Sequence, residues 1–480
     1  MNFKRSFLII VLFFLILGSV NAKITLPSVL ASNMVLQQQT QVRLWGAAKV
    51  GANVVLQTSW NNKRFTTHSD KNGNWLISVP TPKAGGPYEI TVSDGETLRL
   101  QNILIGEVWF CSGQSNMEMP IKGYSSMPVK DANEVIARAK ASVPIRIFMA
   151  ERSASKKPEE NCVGSWALNE GEGVANASAT AYFFAKFLQE TLNVPIGIVV
   201  SSWGGAQIES FMSKETLQKV APEFSFAHLE GNEKVELPNH KPCMVYNGMI
   251  YPFRNLTFKG MIWYQGESNR QNPEQYHRLF PAFVEEMREK VFNLGQFPFY
   301  YVQIAPHKYD GENLIQSAEI REVQLKGLKE IPNSGMAVTM DIPGPSYNIH
   351  PCYKQQVGMR LGFLALAKTY GKKGIAYSGP IYKSMEIKGD KIFLHFDHAD
   401  MGLAPYYESL SGFEIAGANR VFYPAHATAN RSKQYVEVSS NSVPNPVAVR
   451  YCFRNYVVGS LFNNYGLPAS SFRTDDWPLK

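Results

Sequence analysis

Apolar and polar positions change their rhythm three times along this chain. Between residues 24 and 105 they alternate in short runs, MVLQQ, QVRLWGAA, NVVLQTSW, KRFTTHSD, WLISVP and YEITVSD, with Gly, Asn, Asp and Pro between them. Alternation broken at regular intervals by turn residues predicts a small β-sandwich, so residues 23–105 are expected to form an N-terminal β domain. From NILIGEVWFCSGQSN to about residue 372, apolar strands such as PIGIVVSSWGG, KGMIWYQGESN, FPFYYVQIAP and GMAVTMD alternate with helical patterns. Among these are ATAYFFAKFLQETL, PEQYHRLFPAFVEEMREKV, LIQSAEIREVQLKGL and YKQQVGMRLGFLALAKTY. Repeated alternation of strand and helix predicts right-handed βαβ units about a parallel sheet, an α/β domain over residues 106–372. Residues 373–480 return to β character in KIFLHFD, GFEIAG, YVEVSS and AVRYCF.

The first 22 residues stand apart. In MNFKRSFLIIVLFFLILGSVNA, Lys4 and Arg5 precede an apolar run from Phe7 to Leu17, and Val20 and Ala22 occupy the −3 and −1 positions of a cleavage site. This is the build of a secretory signal peptide, and the apolar run is shorter than the ~20 residues that span a bilayer. A secreted or periplasmic protein is expected, with no membrane anchor after signal removal. At 480 residues the chain suggests two or three domains, and 45% apolar against 18% charged residues marks it as globular. The formal charge of +8 includes Lys4 and Arg5, and no dense basic run carries interleaved aromatics, so nucleic acid is not an expected partner. Five scattered cysteines, with no CxxC pair, leave at least one free thiol. Oligomeric state stays open.

Four predicted strand ends carry residues with chemistry. The first is Gly113-Gln114-Ser115-Asn116, where an apolar strand runs straight into a serine between two amides. The second is SSWGGAQIES, with Gly204 and Gly205; the third is WYQGESN, with Gln265, Glu267, Asn269 and, next to it, Arg270; the fourth is YNIHPCYK, with His350 before Pro351 and a helix. Taken singly, a glycine pair is a turn, a histidine before a helix is a cap, and Glu267 is a solvated carboxylate. In a parallel sheet, however, all four loops open on one edge, where such sheets bind their ligands. A serine, an imidazole, a carboxylate and backbone donors on one edge are the parts of an acyl-transfer site. Serine needs a base near neutral pH, a task for His350. The oxyanion of the tetrahedral intermediate would take the N–H of Ser115, that of Gly204 or Gly205, and a group from Gln265 or Asn269. Gln114, Asn116 and Arg270 are candidate substrate contacts. His395, Asp397 and His398 in LHFDHAD could suggest a metal, but strand alternation splits neighbours between faces, so no metal or other cofactor is expected.

At these residues the sequence resembles the sialate O-acetylesterase family of the SGNH hydrolases. The matching blocks are GEVWFCSGQSNMEMP, SSWGGAQIESF, MIWYQGESN, IHPCYKQQVGMRL and GLPASSFRTDDWP, and LPSVLASNMVLQQ is similar to the family's β domain. The resemblance implies a flavodoxin-type α/β/α sandwich flanked by β regions. It also implies an esterase that removes O-acetyl groups from sugars without a metal, with Ser115 as nucleophile and His350 as base. Many SGNH relatives place an Asp two or three residues before the histidine, where this chain has Asn348 and Tyr347. The acid is therefore expected first at Glu267, then at Asn348 as an uncharged orienter, then at Asp341. Acetylated xylan, mannan or pectin are the alternative substrates.

Overall fold

In this computed structural model, residues 23–405, 409–430 and 434–479 are described; the expected signal segment, residues 1–22, lies outside them. The axis of the fold is one long strand, Thr97–Gly113. Its first half pairs antiparallel with Gly85–Ser93 and parallel with Val35–Gln37. Its second half pairs parallel with Ile196–Ser202 on one side and Gly260–Tyr264 on the other. The handover is made by side chains. Where Val35–Gln37 ends, Gln37 Oε1 accepts the Val108 N–H at 2.9 Å, and the buried Glu107 accepts from Gln37 and Gln38. The boundary expected at residues 105/106 thus falls inside a continuous strand, because the ladder never lacks a partner there.

Around that axis the sheet runs Ser334–Ala337, Phe299–Val302, Gly260–Tyr264, Thr97–Gly113, Ile196–Ser202, Ile145–Ala150 and Gly164–Leu168, all parallel except the last. Without the two strands at the Gly164–Leu168 edge, the order is the flavodoxin-type 2-1-3-4-5. Ile196–Ser202 and Gly260–Tyr264 are buried along their whole length, as expected of parallel strands covered on both faces. Alternation sorts their side chains into two cores. Trp109, Cys111, Ile198, Val200 and Ile262 join the cluster that includes the helices Ala179–Leu192 and Lys354–Leu364. Phe110, Val199, Met261 and Trp263 join the one that includes Pro273–Glu286 and Gln316–Glu330. The result is an α/β/α sandwich. Ser178 caps the first of these helices, its Oγ accepting the Ala181 N–H at 3.1 Å.

In the N-terminal region, Gln41–Ala47 pairs with Asn74–Pro80, while Asn53–Thr58 pairs with Arg64–His68 and Gly85–Ser93. Val42, Leu44, Ile77 and Val79 from the first pair and Val54, Leu56, Ile90 and Val92 from the second share one buried cluster. The C-terminal region forms two four-stranded sheets, one around Lys391–Asp397 and one around Phe413–Ala416. All five cysteines are free thiols. No helix among the described residues is long and apolar enough to cross a membrane.

Candidate active site

Gly113 ends the axial strand at φ 141°, and a Cβ there would lie 2.2 Å from the Tyr264 carbonyl oxygen. Only glycine lets the two strand ends approach so closely. The Gln114 N–H then donates to that carbonyl at 2.9 Å, and the chain turns into the short helix Ser115–Glu118. Ser115 is thereby presented, half-buried, at the carboxyl edge of the sheet with no hydrogen-bond partner for its hydroxyl among the described residues.

Two contacts bring His350 to the same place. Asn116 Nδ2 donates to the Ile349 carbonyl at 3.1 Å, and the Tyr124 ring, whose hydroxyl reaches the Ser115 carbonyl at 3.4 Å, packs edge-on against the imidazole at 5.3 Å. The ring's Nδ1 lies 3.0 Å from Met127 Sδ, and its Nε2 is buried without a partner. Burial, followed by the nearby Lys354 and His307, pulls the imidazole pKa down to about 4, so at neutral pH it is a free base.

The expected donors and acids separate into those free to act and those already engaged. Ser115 and Gly205 keep unengaged backbone N–H groups, whereas the Gly204 N–H donates to Glu118 Oε2 at 2.9 Å. That carboxylate is held in turn by Arg152 through two bonds of 2.6 Å and by Tyr124 at 3.2 Å. Gln265 donates to the Ala206 carbonyl and to Asn269 Oδ1, while Asn269 donates to Glu209 and accepts the Ile208 N–H. Both are buried with their NH₂ groups committed between loops, which leaves neither amide a free donor for the oxyanion role expected of it. Asn116, fully buried, is likewise a bracket, its amide engaged by Glu267, the Ile349 carbonyl and Lys354. Gln114 is different. Its Oε1 accepts from the Gly266 and Ser268 N–H groups at 3.3 Å, which fixes the amide orientation and leaves its NH₂ with no protein acceptor.

None of the three candidate acids reaches the imidazole. Glu267 is buried and its Oε1 accepts from Asn116 Nδ2 at 2.7 Å; burial raises its pKa. Asn348 Oδ1 accepts the His350 backbone N–H at 2.9 Å and so shapes the loop, not the ring. Asp341 forms a bidentate ion pair with Arg360 at 2.7 and 2.6 Å. Arg270 stacks 4.4 Å over the Tyr309 ring and pairs loosely with Asp310 at 3.4 Å. Buried polar atoms around this edge without a partner among the described residues include Tyr264 OH, Glu267 Oε2, Arg270 Nε, His307 Nδ1, Tyr309 OH and His350 Nε2. Such atoms are rare in a folded chain unless water or a ligand meets them. His395, Asp397 and His398 are not drawn together: Asp397 pairs with Lys383 at 3.0 Å, and no group of three metal-binding side chains occurs among the described residues.

Comparison with known proteins decides the family. The model of the family described as carbohydrate esterase, sialic acid-specific acetylesterase matches residues 105–369. The chain belongs to this family. Members include the sialate O-acetylesterase of Pongo abelii, 30% identical over 77% of this chain and 76% of that one, and the enzyme of the same name from Mus musculus, 28% identical over 88% of each. The crystal structure of a carbohydrate acetylesterase from Xanthomonas citri superposes with a TM-score of 0.85 at 35% identity, covering 95% of this chain and 100% of the other. As a member of the sialic acid-specific acetylesterase family, the chain is a carboxylic ester hydrolase of SGNH type.

Four site residues escaped the sequence reading. His307 follows the strand Phe299–Val302 and lies 4.5 Å, ring to ring, from Tyr309. The rule that found the other loops, chemistry at strand ends, applied equally to APHKYD. Glu118 lies in GEVWFCSGQSNMEMP, three residues after Ser115, and Lys354 in IHPCYKQQVGMRL, four after His350.

Proposed function

We propose that this esterase removes O-acetyl groups from sialic acids, with Ser115 as nucleophile and His350 as general base. The observation that carries the reading is an unengaged serine hydroxyl and a neutral imidazole with an unpartnered Nε2 on one sheet edge, joined through Tyr124, which reaches the Ser115 carbonyl and packs on the His350 ring. In the first step Nε2 takes the Ser115 proton as Oγ bonds to the acetyl carbon. The tetrahedral oxyanion is met by the N–H groups of Ser115 and Gly205 and by the Gln114 NH₂. Collapse expels the sugar alkoxide, which takes the proton back from the imidazolium. Water, activated by the same imidazole, then releases acetate from the acyl-serine. Arg270, with a quarter of its side chain exposed at the rim, is the proposed partner of the sialic acid carboxylate.

The names of the curated relatives support a sialate substrate, whereas the Xanthomonas protein supports a broader carbohydrate acetylesterase. One experiment separates the two: acetate release from O-acetylated sialic acid and from acetylated xylan, by the wild type and Ser115→Ala. Release from sialate, abolished in a folded Ser115→Ala protein, is expected. Faster release from xylan overturns the substrate, and turnover by Ser115→Ala overturns the nucleophile. We also propose that residues 1–22 export the chain and are removed, so that the secreted protein begins at Lys23; N-terminal sequencing checks this.

A further inference from the structure

The chemistry assigned to Ser115 and His350 makes no use of a lysine that lies directly behind them. Lys354 opens the helix Lys354–Leu364 and is fully buried. Ammonium groups are almost never buried unless paired. Its Nζ donates to Asn116 Oδ1 and sits 5.6 Å from the centroid of the Tyr264 ring. The other end of the same amide donates to Glu267 Oε1 at 2.7 Å and to the Ile349 carbonyl at 3.1 Å. Asn116 therefore faces a cation with its acceptor and an anion with its donor, an arrangement that neither Asp nor Leu reproduces. It also adjoins the nucleophile, and Ile349 adjoins the base. Three loops, those of Ser115, Glu267 and His350, are tied at one amide.

We propose that Lys354 and Glu267, bridged by Asn116, are a buried charge pair that positions Ser115 against His350, and that Glu267 serves catalysis through Asn116 and not as an acid on the imidazole. This rests on Ser115 and His350 being nucleophile and base. Lys354 and Glu267 are positioning residues in this scheme, and the loss of either leaves its partner as an unpaired buried charge.

The imidazole supplies a readout that a purely structural role does not move. The groups facing it are Tyr124, Met127, His307 and Lys354; Glu118 and Arg152 neutralise each other beyond Tyr124, and Arg270 stands near His307. Burial lowers the Lys354 pKa to about 7 against the pull of Glu267, so over the acid range in which the imidazole titrates the lysine is a cation that disfavours imidazolium, and no carboxylate is among the causes that act on the ring. Removing the lysine charge should therefore move the acid limb of kcat/KM to higher pH. Removing the Glu267 charge should leave that limb in place, whereas loss of a true triad acid would destabilise imidazolium and move it to lower pH.

The experiment is a double-mutant cycle on the full chain with p-nitrophenyl acetate: wild type, Lys354→Met, Glu267→Gln and the double variant, each with a pH profile and a thermal unfolding curve. Each single change should lower kcat with little change in KM. The double variant, with neither charge left unpaired, should retain about tenfold more activity than the product of the two single fractional activities. Should Lys354→Met fail to fold, Lys354→Gln, which keeps a donor for Asn116 Oδ1, completes the same cycle. The proposal is overturned if the two losses simply multiply, if the lysine variants turn over at the wild-type rate, or if Glu267→Gln moves the acid limb downward. The Ser115→Ala result is independent of the cycle. Turnover by that variant removes the nucleophile, whereas multiplicative losses in the cycle with an inactive Ser115→Ala remove only the charge pair.

Discussion

Gly113→Ala is the perturbation on which the geometry bears most directly. The backbone there, at φ 141°, is a conformation that residues with a Cβ rarely adopt, costing of order 1–3 kcal/mol. An added Cβ would stand 2.2 Å from the Tyr264 oxygen and 2.7 Å from its carbonyl carbon, against an ordinary carbon contact of about 3.5 Å. The two strand ends must part by about 1 Å to admit it, and overpacking of that kind costs roughly another 1–3 kcal/mol. The same displacement carries Ser115 away from the Gly266–Ser268 loop, since Gln114 is bonded to both Tyr264 and that loop. A 1 Å misplacement of reacting groups costs about 10²-fold. Gly113→Ala should therefore lower the unfolding temperature and reduce kcat for p-nitrophenyl acetate by about that factor. Gly205→Ala is the control. It too has a positive φ, 75°, but the nearest atom to its Cβ would be 3.4 Å away, so it should cost the conformational term alone. Wild-type turnover and unfolding in Gly113→Ala would refute the reasoning, because the closeness of the two strand ends would then not matter to the serine.

Two further outcomes follow from the same site. The His350 pKa is lowered to about 4, and activity requires the free base, so kcat/KM should hold steady above neutrality and fall only as pH drops well below the ordinary histidine range. A midpoint at or above about 6.5 in the pH profile would contradict the burial and the cationic neighbours. Asp341→Asn should break the ion pair with Arg360, whose partners are 14% and 10% exposed, and lower stability by up to about 3–5 kcal/mol while kcat per folded molecule stays near wild type. A stable but inactive Asp341→Asn would return Asp341 to the acid assignment.

The long parallel strands were legible because burial on both faces writes itself as an uninterrupted apolar run, as in Ile196–Ser202. Ile145–Ala150 and Gly164–Leu168 were not. The second is short, half-covered and lies at the sheet edge, and so carries too little periodicity. At the site, strand-end reasoning brought Ser115, Gly205 and His350 to one edge, but a residue type does not reveal how an amide is spent. Asn116, Gln265 and Asn269 look as free to donate as Gln114, and only the folded chain shows that the first three are committed to neighbours, Asn116 to Lys354, 238 positions away. Lys354 was hidden for a related reason. A lysine in the first turn of a helix is ordinarily solvated, and what covers this one comes from the far end of the domain.

The strand Thr97–Gly113 makes the accessory β region part of the catalytic machine's frame and not a passenger upon it. A module boundary in a gene normally coincides with a place where the chain can be cut and each piece keeps its shape. Here a cut after residue 105 would sever the beam whose tip presents the nucleophile, stripping the root of that strand from Gly85–Ser93 and Val35–Gln37 while the tip stayed in the central sheet. A hydrolase cut at its first motif would lose the partners that root its nucleophile strand, so a graft of this activity onto another scaffold should carry Val35–Gln37 and Gly85–Ser93 with it, or supply strands in their place.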